Sequence, residues 1–484
     1  MTESKEKIDT VDNFKKYKII FGIILAAEAI TSFLILNALA KLNLLQTWQY
    51  LLVVLLFGGI FLLNLYKLII SKRASHASKI ICIVGAIFFT IAGAFGYKYA
   101  RQTIDFVENV TGSRYETQIY QVRVLKSSSY KEVEQLARQH VGFLNTNPNL
   151  ENTKRTLKST VDYRDKNYAE IGSLIAAIYD FDVAAVVLNQ SYLDFLEESD
   201  NKFVEESEKI FEFEVRMDAP DNHQTVDVAA EPFILYISGS DSRGDITETA
   251  RSDVNILAII NPKTFKILLV SIPRDYYVQL HGTTGTKDKL THAGVYGIDM
   301  SKNTIQDLLD IKINYTIKVG FNTLLKVVDA VDGVDIESDT TFKRGDCNFI
   351  EGKQHLNSEC ALAYARERYT YSSGDRHRGQ NQQQILTALI YKVSDPHYLV
   401  RYPKILETAQ DSFETSLTFD EITSFARYQL SELRSWQVES ISLDGTGAML
   451  PTYSMGAQPL YVMQPNAKTV SDAQKKIAEY LKES

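Results

Sequence analysis

Arginine, aspartate and amide side chains recur in three short clusters of this chain. They are Gly239-Ser-Asp-Ser-Arg243 with Arg251-Ser-Asp253, then Ser271-Ile-Pro-Arg-Asp275, then Arg366-Glu-Arg368 followed by Asp375-Arg-His-Arg-Gly-Gln-Asn-Gln382. A guanidinium is a planar fork of donors that matches a phosphate, and paired carboxylates are hard oxygen ligands for Mg²⁺ or Mn²⁺. Together the clusters read as a pyrophosphate site carrying a divalent cation. Asp241 follows an apolar run across Gly239-Ser240, where a tight turn would expose its carboxylate, and Asp253 precedes a second run. Carboxylates at adjacent strand ends can share one cation, with waters and phosphate oxygens completing its octahedron.

Spacing sets the direction of the other groups. Arg251 stands two residues before Asp253, so in extended chain both project to one face. Arg366 and Arg368 would point nearly apart on a helix, which places them beyond its end in extended chain. Arg378 and Gln382 are spaced i, i+4 and share a helical face that Gln383 does not. Asp275 reads as an orienting partner for Arg274 and not as a metal ligand. Alone, Asp253 fits a cap or turn, and Arg366 or Arg368 fits a surface ion pair with Glu367 or Glu359. So many Arg clustered with Asp in a chain of net charge −8 fit an anion site better. The same net charge argues against nucleic acid as a partner, because local arginines and not a general basic field must hold the anion.

The elements that carry these clusters lie behind an apolar N-terminus. Ile19–Ala40, Trp48–Ile70 and Ile80–Tyr97 are nearly continuous apolar runs, each close to the roughly 20 residues that span a bilayer. Lys15, Lys16 and Lys18 precede the first, and Lys67, Lys72, Arg73 and Lys79 lie between the second and third. That asymmetry predicts a cytoplasmic N-terminus and everything after Tyr97 outside. Glu28 in the first run is either functional or a carboxyl bonded to a neighbouring span through Thr31, Ser32 or Asn64. Cys82 falls in the third run, whereas Cys347 and Cys360 lie outside and are able to pair.

The predicted organisation is a cytoplasmic tail (1–18), three transmembrane helices (19–100), a tether with a small α/β accessory domain (101–225), and a large α/β domain (226–484). Arg101–Tyr115 reads as the tether. In the accessory segment Gln118–Val124 and Ala184–Leu188 read as strands, and Lys131–Leu144 and Ser191–Glu197 as helices. Beyond Asp218–Glu231, Phe233–Ile237 reads as a buried strand. Val254–Ile260 and Phe265–Ser271 flank Asn261-Pro-Lys-Thr264 and read as a hairpin. Asn303–Asp310, Asn322–Val331, Ser358–Tyr364 and Gln380–Val393 read as helices. The sum is a three-layer α/β/α domain around a central mixed sheet, with the polar clusters at strand ends, where such folds commonly bind ligands.

In this order the clusters, with Lys289-Leu-Thr-His-Ala293, Val328-Asp-Ala-Val-Asp-Gly-Val-Asp335 and Ala361-Leu-Ala-Tyr-Ala-Arg-Glu-Arg368, resemble the LytR-CpsA-Psr family. The likeness is greatest to its streptococcal capsule members, which also carry three spans and an accessory domain. Thr291 departs from the family's usual Asn, and Ala330-Val331-Asp332-Gly333 from its commoner Leu-Gly-Gly. The resemblance implies a phosphotransferase that moves a glycopolymer from an undecaprenyl (pyro)phosphate carrier to peptidoglycan through a phosphodiester. It also implies roles. Asp241 and Asp253 match the metal-associated carboxylates, and Arg251, Arg274, Arg366, Arg368, Arg378 and Gln382 the phosphate-binding set. Asp275 and Arg243 match supporting positions.

In that reaction Arg274, Asp253 and Asp275 are the expected catalytic group, with Asp253 or a metal-bound oxygen receiving the proton of the attacking hydroxyl. Leu324, Leu325, Val327 and Val328 would line a groove for the prenyl tail. Capsule polymerase or kinase machinery is the implied protein partner, and hydrolysis of the pyrophosphate the implied side reaction. Two other roles compete: a non-catalytic anchor for lipid-linked polymer, and a transcriptional regulator, for which the predicted cytoplasmic segments are too short.

Overall fold

In a computed structural model, residues 2–71, 75–112, 115–147, 149–198, 202–218, 224–240, 245–371, 375–395, 397–398, 402–409 and 413–483 are described. Asp241, Arg243 and the side chain of Asp375 lie outside the described parts. The chain forms two compact units.

The first unit holds helices α1 (Thr2–Leu42), α2 (Thr47–Leu65) and most of α3 (His76–Gly112). Lys18–Leu42, Thr47–Ile70 and Ala77–Thr111 are long and apolar enough to cross a membrane. The third helix does not stop at Tyr97. It continues to Gly112, so the expected tether is helical over most of its length. Glu28 and Asn64 are both buried, and the Asn64 amide donates to the two Glu28 oxygens at 2.9 and 3.1 Å. A carboxyl among apolar helices needs such a partner, and Asn64 supplies it.

The second unit begins with a five-stranded sheet of order β3-β2-β4-β1-β5. Its strands are β1 (Tyr115–Leu125), β2 (His140–Leu144), β3 (Arg164–Tyr168), β4 (Ala185–Asn189) and β5 (Ser207–Asp218). Helices α4 (Leu150–Lys158), α5 (Ile171–Tyr179), α6 (Gln190–Glu198) and the short α7 (Phe203–Glu206) connect them. The helix expected over Lys131–Leu144 is instead a 3₁₀ turn at Val133–Leu136 followed by β2. Arg138, in the left-handed region at φ 62°, separates the two and prevents a continuous helix.

The accessory sheet and the larger domain share a core. Leu174, Phe195 and Leu196 pack with Val295, Met455 and Leu460. The Thr117 amide donates to Thr247 and its carbonyl accepts from Thr249.

The larger domain is built on a six-stranded mixed sheet of order β16-β11-β6-β7-β8-β17. Its strands are β6 (Phe233–Ser240), β7 (Val254–Asn261), β8 (Lys266–Ser271), β11 (Tyr315–Gly320), β16 (Phe413–Thr415) and β17 (Gln437–Ser442). β7 and β8 form the expected hairpin, closing at Asn261↔Lys266. β11 and β17 run parallel to their neighbours β6 and β8.

One sheet face, including Tyr236, Leu257, Ile259 and Leu268, packs on α9 (Ile298–Leu309) and α15 (Ala467–Lys482). The other faces α10 (Phe321–Ala330), α11 (Ser358–Ala365) and α12 (Asp375–Ser394). Short elements complete the domain: the pair β9 (Tyr277–Val278) and β10 (Asp288–Lys289), then α8 (Leu290–Ala293). Three further antiparallel pairs follow: β12 (Val334–Ser338) with β15 (Gly352–Leu356), β13 (Phe342–Arg344) with β14 (Cys347–Phe349), and β18 (Gly445–Thr452) with β19 (Gly456–Pro465). α13 (Tyr402–Ala409) falls largely, and α14 (Phe419–Glu432) wholly, in the first unit.

Cys347 and Cys360 are joined by a disulfide that closes a segment of sequence separation 13 between β14 and α11. Closing a loop of this length stabilises by about 3 kcal/mol in the chain-entropy account. Cys360→Ser in the full chain in detergent should lower the unfolding free energy of the second unit by about 2–4 kcal/mol. Urea unfolding followed by the fluorescence of Trp436, buried against Phe265, measures it; an unchanged midpoint contradicts the structural role.

Candidate functional site

The antiparallel register brings the C-terminal end of β6 beside the start of β7, with Gly239 opposite Val254. β8 ends at the same edge, with Ser271 opposite Ile256. The first two sequence clusters therefore meet at one end of the sheet. Gly239 permits this approach, since a Cβ there would fall 2.7 Å from the Val254 Cβ. The Asp253 amide donates to the Gly239 carbonyl at 2.8 Å, which places Asp253 beside the chain leading to position 241. Beneath it lies a buried polar network. The Tyr236 hydroxyl donates to Asn255 Oδ1 at 2.6 Å, and the Ser252 hydroxyl contacts Ser238 at 2.7 Å and donates to Asn255 at 2.9 Å.

Asp253 is the centre of the site. Arg274 Nη1 donates to its Oδ1 at 2.9 Å, and the Thr291 hydroxyl donates to the same oxygen at 3.2 Å. Thr291, which stands where the family usually has Asn, thus supplies a hydrogen bond to this carboxylate. Only 9 % of the Asp253 side chain is exposed. Burial pushes its carboxyl up, but the charges of Arg274, Arg251 and Arg378 and the hydrogen bond from Arg274 outweigh it. The net effect holds Asp253 below the ordinary carboxylate value, and shows that arginines from all three segments act on one carboxylate.

Arg274 continues the cluster on its other side. Its Nε lies 3.6 Å from Asp275, whose carboxylate is 3.5 Å from Lys289 Nζ. Lys289 is fully buried. Plus and minus charges alternate along Lys289, Asp275, Arg274 and Asp253, so the four sum to zero. Asp275 thus lies between Arg274 and Lys289, within ion-pair distance of each. The role of Lys289 was not legible, because a lone Lys gives no signal until its partner is known.

Arg251 Nε is 3.7 Å from Asp194 of α6. Arg366 caps α11 in a still helical backbone conformation and not in extended chain as the spacing predicted, whereas Arg368 follows beyond the helix in irregular chain. Glu367 does not pair with its neighbouring arginines. It is bound by Arg344 Nη1 at 2.7 Å, and it accepts the Tyr369 and Thr370 amides at 2.6 and 2.9 Å. Arg344, another residue the clusters did not reveal, also donates to the Arg366 carbonyl.

Gln382 and Gln383 diverge as expected. Gln382 faces the cavity described next, whereas Gln383 donates to Leu269 and Ile441 and ties α12 to β8 and β17. Gly379 lets α12 sit against β8, since a Cβ there would fall 2.5 Å from the Ser271 hydroxyl.

Beside the charged cluster lies a cavity of about 300 Å³ with an almost wholly apolar wall. Ile237, Ile256 and Ile317 of the sheet line it, with Leu324 and Val327 of α10 and Leu386 of α12. Two of the four expected lining residues, Leu325 and Val328, do not line it, and Val328 is fully buried in the core. Gly239, Val254 and Gln382 sit in the wall, so the cavity wall reaches the sheet end that carries Asp253.

Among the described residues no group of three or more acidic, His or Cys side chains forms a metal centre. The donor set nevertheless fits a hard divalent cation. Asp253 is held ionised, its bonds to Arg274 and Thr291 both fall on one oxygen, and Mg²⁺ commonly takes only one or two protein carboxylates beside phosphate and water.

The profile of the LytR_cpsA_psr family matches residues 199–476. The polyisoprenyl-teichoic acid–peptidoglycan teichoic acid transferase TagU of Bacillus cereus is 36 % identical over 219 residues, covering 45 % of this chain and 70 % of the relative. Its Enterococcus faecalis namesake is 34 % identical over 221 residues, covering 45 % and 72 %. Among solved structures, Bacillus subtilis TagV is 32 % identical, with a TM-score of 0.44, covering 52 % of this chain and 98 % of that one.

Asp253 gives a stability prediction with a definite sign. Its native carboxyl binds a proton more weakly than in the unfolded chain. The contribution is therefore present above about pH 4 and lost as pH falls through the lower native value. Asp253→Asn should cost about 1–3 kcal/mol at pH 7, with the difference from wild type shrinking below about pH 4. Denaturation at pH 7 and pH 3.5 tests it; a gap that does not shrink on acidification contradicts the assignment.

Proposed function

The chain belongs to the LytR-CpsA-Psr family, and from that membership and the site geometry we propose that it is a membrane-anchored glycopolymer–peptidoglycan phosphotransferase. The observation that carries this reading is the junction of an apolar cavity with an arginine cluster at one sheet end. A lipid pyrophosphate has that division, a prenyl tail attached directly to a polyanion. The relatives named as teichoic acid transferases use polyisoprenyl-linked donors and peptidoglycan, which supports the same donor and acceptor classes here. Within those classes we assign capsular polysaccharide as the polymer, on the likeness of the whole layout to capsule members.

The roles follow from the charges. Asp253, Asp275, Arg274 and Lys289 balance one another, and Arg251, Arg366, Arg368 and Arg378 of the same clusters are the further groups we assign to the phosphates. Arg274, oriented by both carboxylates, presents its remaining edge to the reacting phosphate. A peptidoglycan sugar hydroxyl attacks phosphorus and gives its proton to Asp253 or onward to solvent as the bond to the lipid phosphate breaks, and the arginines stabilise the charge on the departing phosphate. Asp253, held ionised, is a weak base and a good cation partner. With Asp241 it would hold Mg²⁺ or Mn²⁺, which when bound supplies charge neutralisation to the pyrophosphate. Water in place of the sugar hydroxyl would give pyrophosphate hydrolysis as a side reaction. The Lys and Arg excess before the first span and between the second and third supports an extracytoplasmic catalytic unit, as does the Cys347–Cys360 disulfide.

The test is transfer by the full chain in detergent from a lipid-pyrophosphate-linked saccharide to peptidoglycan fragments, with the phosphodiester read by mass spectrometry. Product should form with Mg²⁺, stop on chelation, and fall at least about 100-fold in Arg274→Ala, the scale of removing one transition-state charge contact. Lipid binding without product from any acceptor would favour the anchor role. A second prediction separates tail from headgroup. Leu386→Trp, which fills the cavity, should weaken binding of a polyprenyl pyrophosphate about 10-fold or more while leaving inorganic pyrophosphate binding within about 2-fold. Equal losses for both ligands would contradict the cavity's assignment.

A further inference from the structure

Tyr369 is among the most exposed large side chains of the second unit, at 76 %, yet it is one of the most carefully held. Its backbone amide and that of Thr370 both donate to Glu367, a buried carboxylate locked by Arg344. Burial pushes the Glu367 carboxyl up, and the hydrogen bonds from Thr370, Arg344 and Tyr369 bring it below its ordinary value, so it stays charged. The ring is held as well. The Arg368 guanidinium lies 4.8 Å from its centroid and donates to its hydroxyl at 2.6 Å. A buried carboxylate held by a half-buried arginine and two backbone amides is a large investment of structure for presenting an aromatic ring to water.

The ring also has a telling location. The Arg368 hydrogen bond, then the charges of Arg368, Arg344 and Arg274, hold the phenol below its usual value. Tyr369 stands against Arg368, one of the arginines assigned to the phosphates, with its ring exposed, and it is not among the residues lining the apolar cavity. A group attached to the phosphate but not to the lipid would occupy that exposed side.

We propose that Tyr369 is the platform of a saccharide subsite, on which a pyranose ring adjoining the reacting phosphate lays its axial C–H face. Pyranoses present an apolar face rimmed by hydroxyls, and a rigid Tyr offers a broad surface with few rotamers to immobilise. Its fixed setting lowers the ordering penalty of binding. Arg368, bridging the Tyr369 hydroxyl and the phosphate region, aligns sugar and phosphate together. The sugar is either the first residue of the donor polymer or the acceptor residue of peptidoglycan. The two share the same stacking chemistry.

This subsite rests on the transferase reading, and the experiment separates their failures. Full-length wild type, Tyr369→Ala and Tyr369→Trp in detergent are titrated with three probes: a short-chain polyprenyl pyrophosphate, the same lipid pyrophosphate bearing a single glucose or N-acetylglucosamine, and a soluble disaccharide-peptide fragment of peptidoglycan. Tyr369→Ala should bind the sugar-free lipid within about 2-fold of wild type and lose about 10-fold toward one saccharide probe, while Tyr369→Trp retains affinity for it. A loss on the glycosylated lipid assigns the donor sugar, and a loss on the peptidoglycan fragment assigns the acceptor. Equal binding of all three probes by Tyr369→Ala and wild type overturns the subsite, as does a uniform loss that includes the sugar-free lipid. Failure of wild type to bind the sugar-free lipid overturns the transferase reading itself.

Discussion

The ion pair between Asp253 and Arg274 is the constraint on which the rest of the site depends. Two charges removed from water are tolerated only when their remaining lone pairs and protons are satisfied. Thr291 supplies the second donor to Asp253, Asp275 lies at the second edge of Arg274, and Lys289 compensates Asp275 in turn. Each group is present because the previous one would otherwise be left uncompensated. The chain of four ends electrically neutral, and it therefore fixes geometry without contributing net attraction for an anion. Under the proposed function, attraction for the phosphates in a chain of net charge −8 falls to the other arginines of the clusters.

The parts of this arrangement legible in the sequence were those encoded locally. Asn261-Pro-Lys-Thr264 marks a turn, so the β7–β8 hairpin and its strand ends could be read directly. The i, i+4 spacing of Arg378 and Gln382 and the placement of Arg368 beyond a helix likewise depend only on neighbours. What stayed hidden depended on distant partners. Lys289 and Arg344 gain meaning only from Asp275 and Glu367, which the fold brings to them. The same holds for Cys347 and Cys360, whose pairing the sequence left open.

The misread segment Lys131–Leu144 shows a different failure. Val133, Leu136, Val141 and Leu144 are all buried, at separations that also fit one face of a helix. The 3₁₀ turn and the strand each bury their own pair. The left-handed Arg138 between them is invisible to hydrophobic periodicity, because Arg carries no preference for that conformation.

Behind the site lies a cluster whose composition invites a catalytic reading that its bonding excludes. Asp288, His292 and Ser454 lie together and buried. In a nucleophilic triad the serine donates to the imidazole, and the carboxylate orients the far ring nitrogen. Here the Ser454 hydroxyl and amide both donate to Asp288, and His292 Nδ1 contacts the other Asp288 oxygen at 2.7 Å. His292 Nε2 finds no hydrogen-bond partner among the described residues, and its ring packs on Phe195 of α6 in the accessory domain with 3.9 Å between centroids. The serine is thus bound to the wrong partner for attack, and aromatic carbon lies over the imidazole where a substrate would have to approach. What the cluster does is mechanical. It ties α8 to the β18–β19 hairpin through Ser454 and to α6 through Phe195. Because Thr291 on α8 precedes His292 and donates to Asp253, the accessory domain and the C-terminal hairpin together set the position of the carboxylate on which the site is centred.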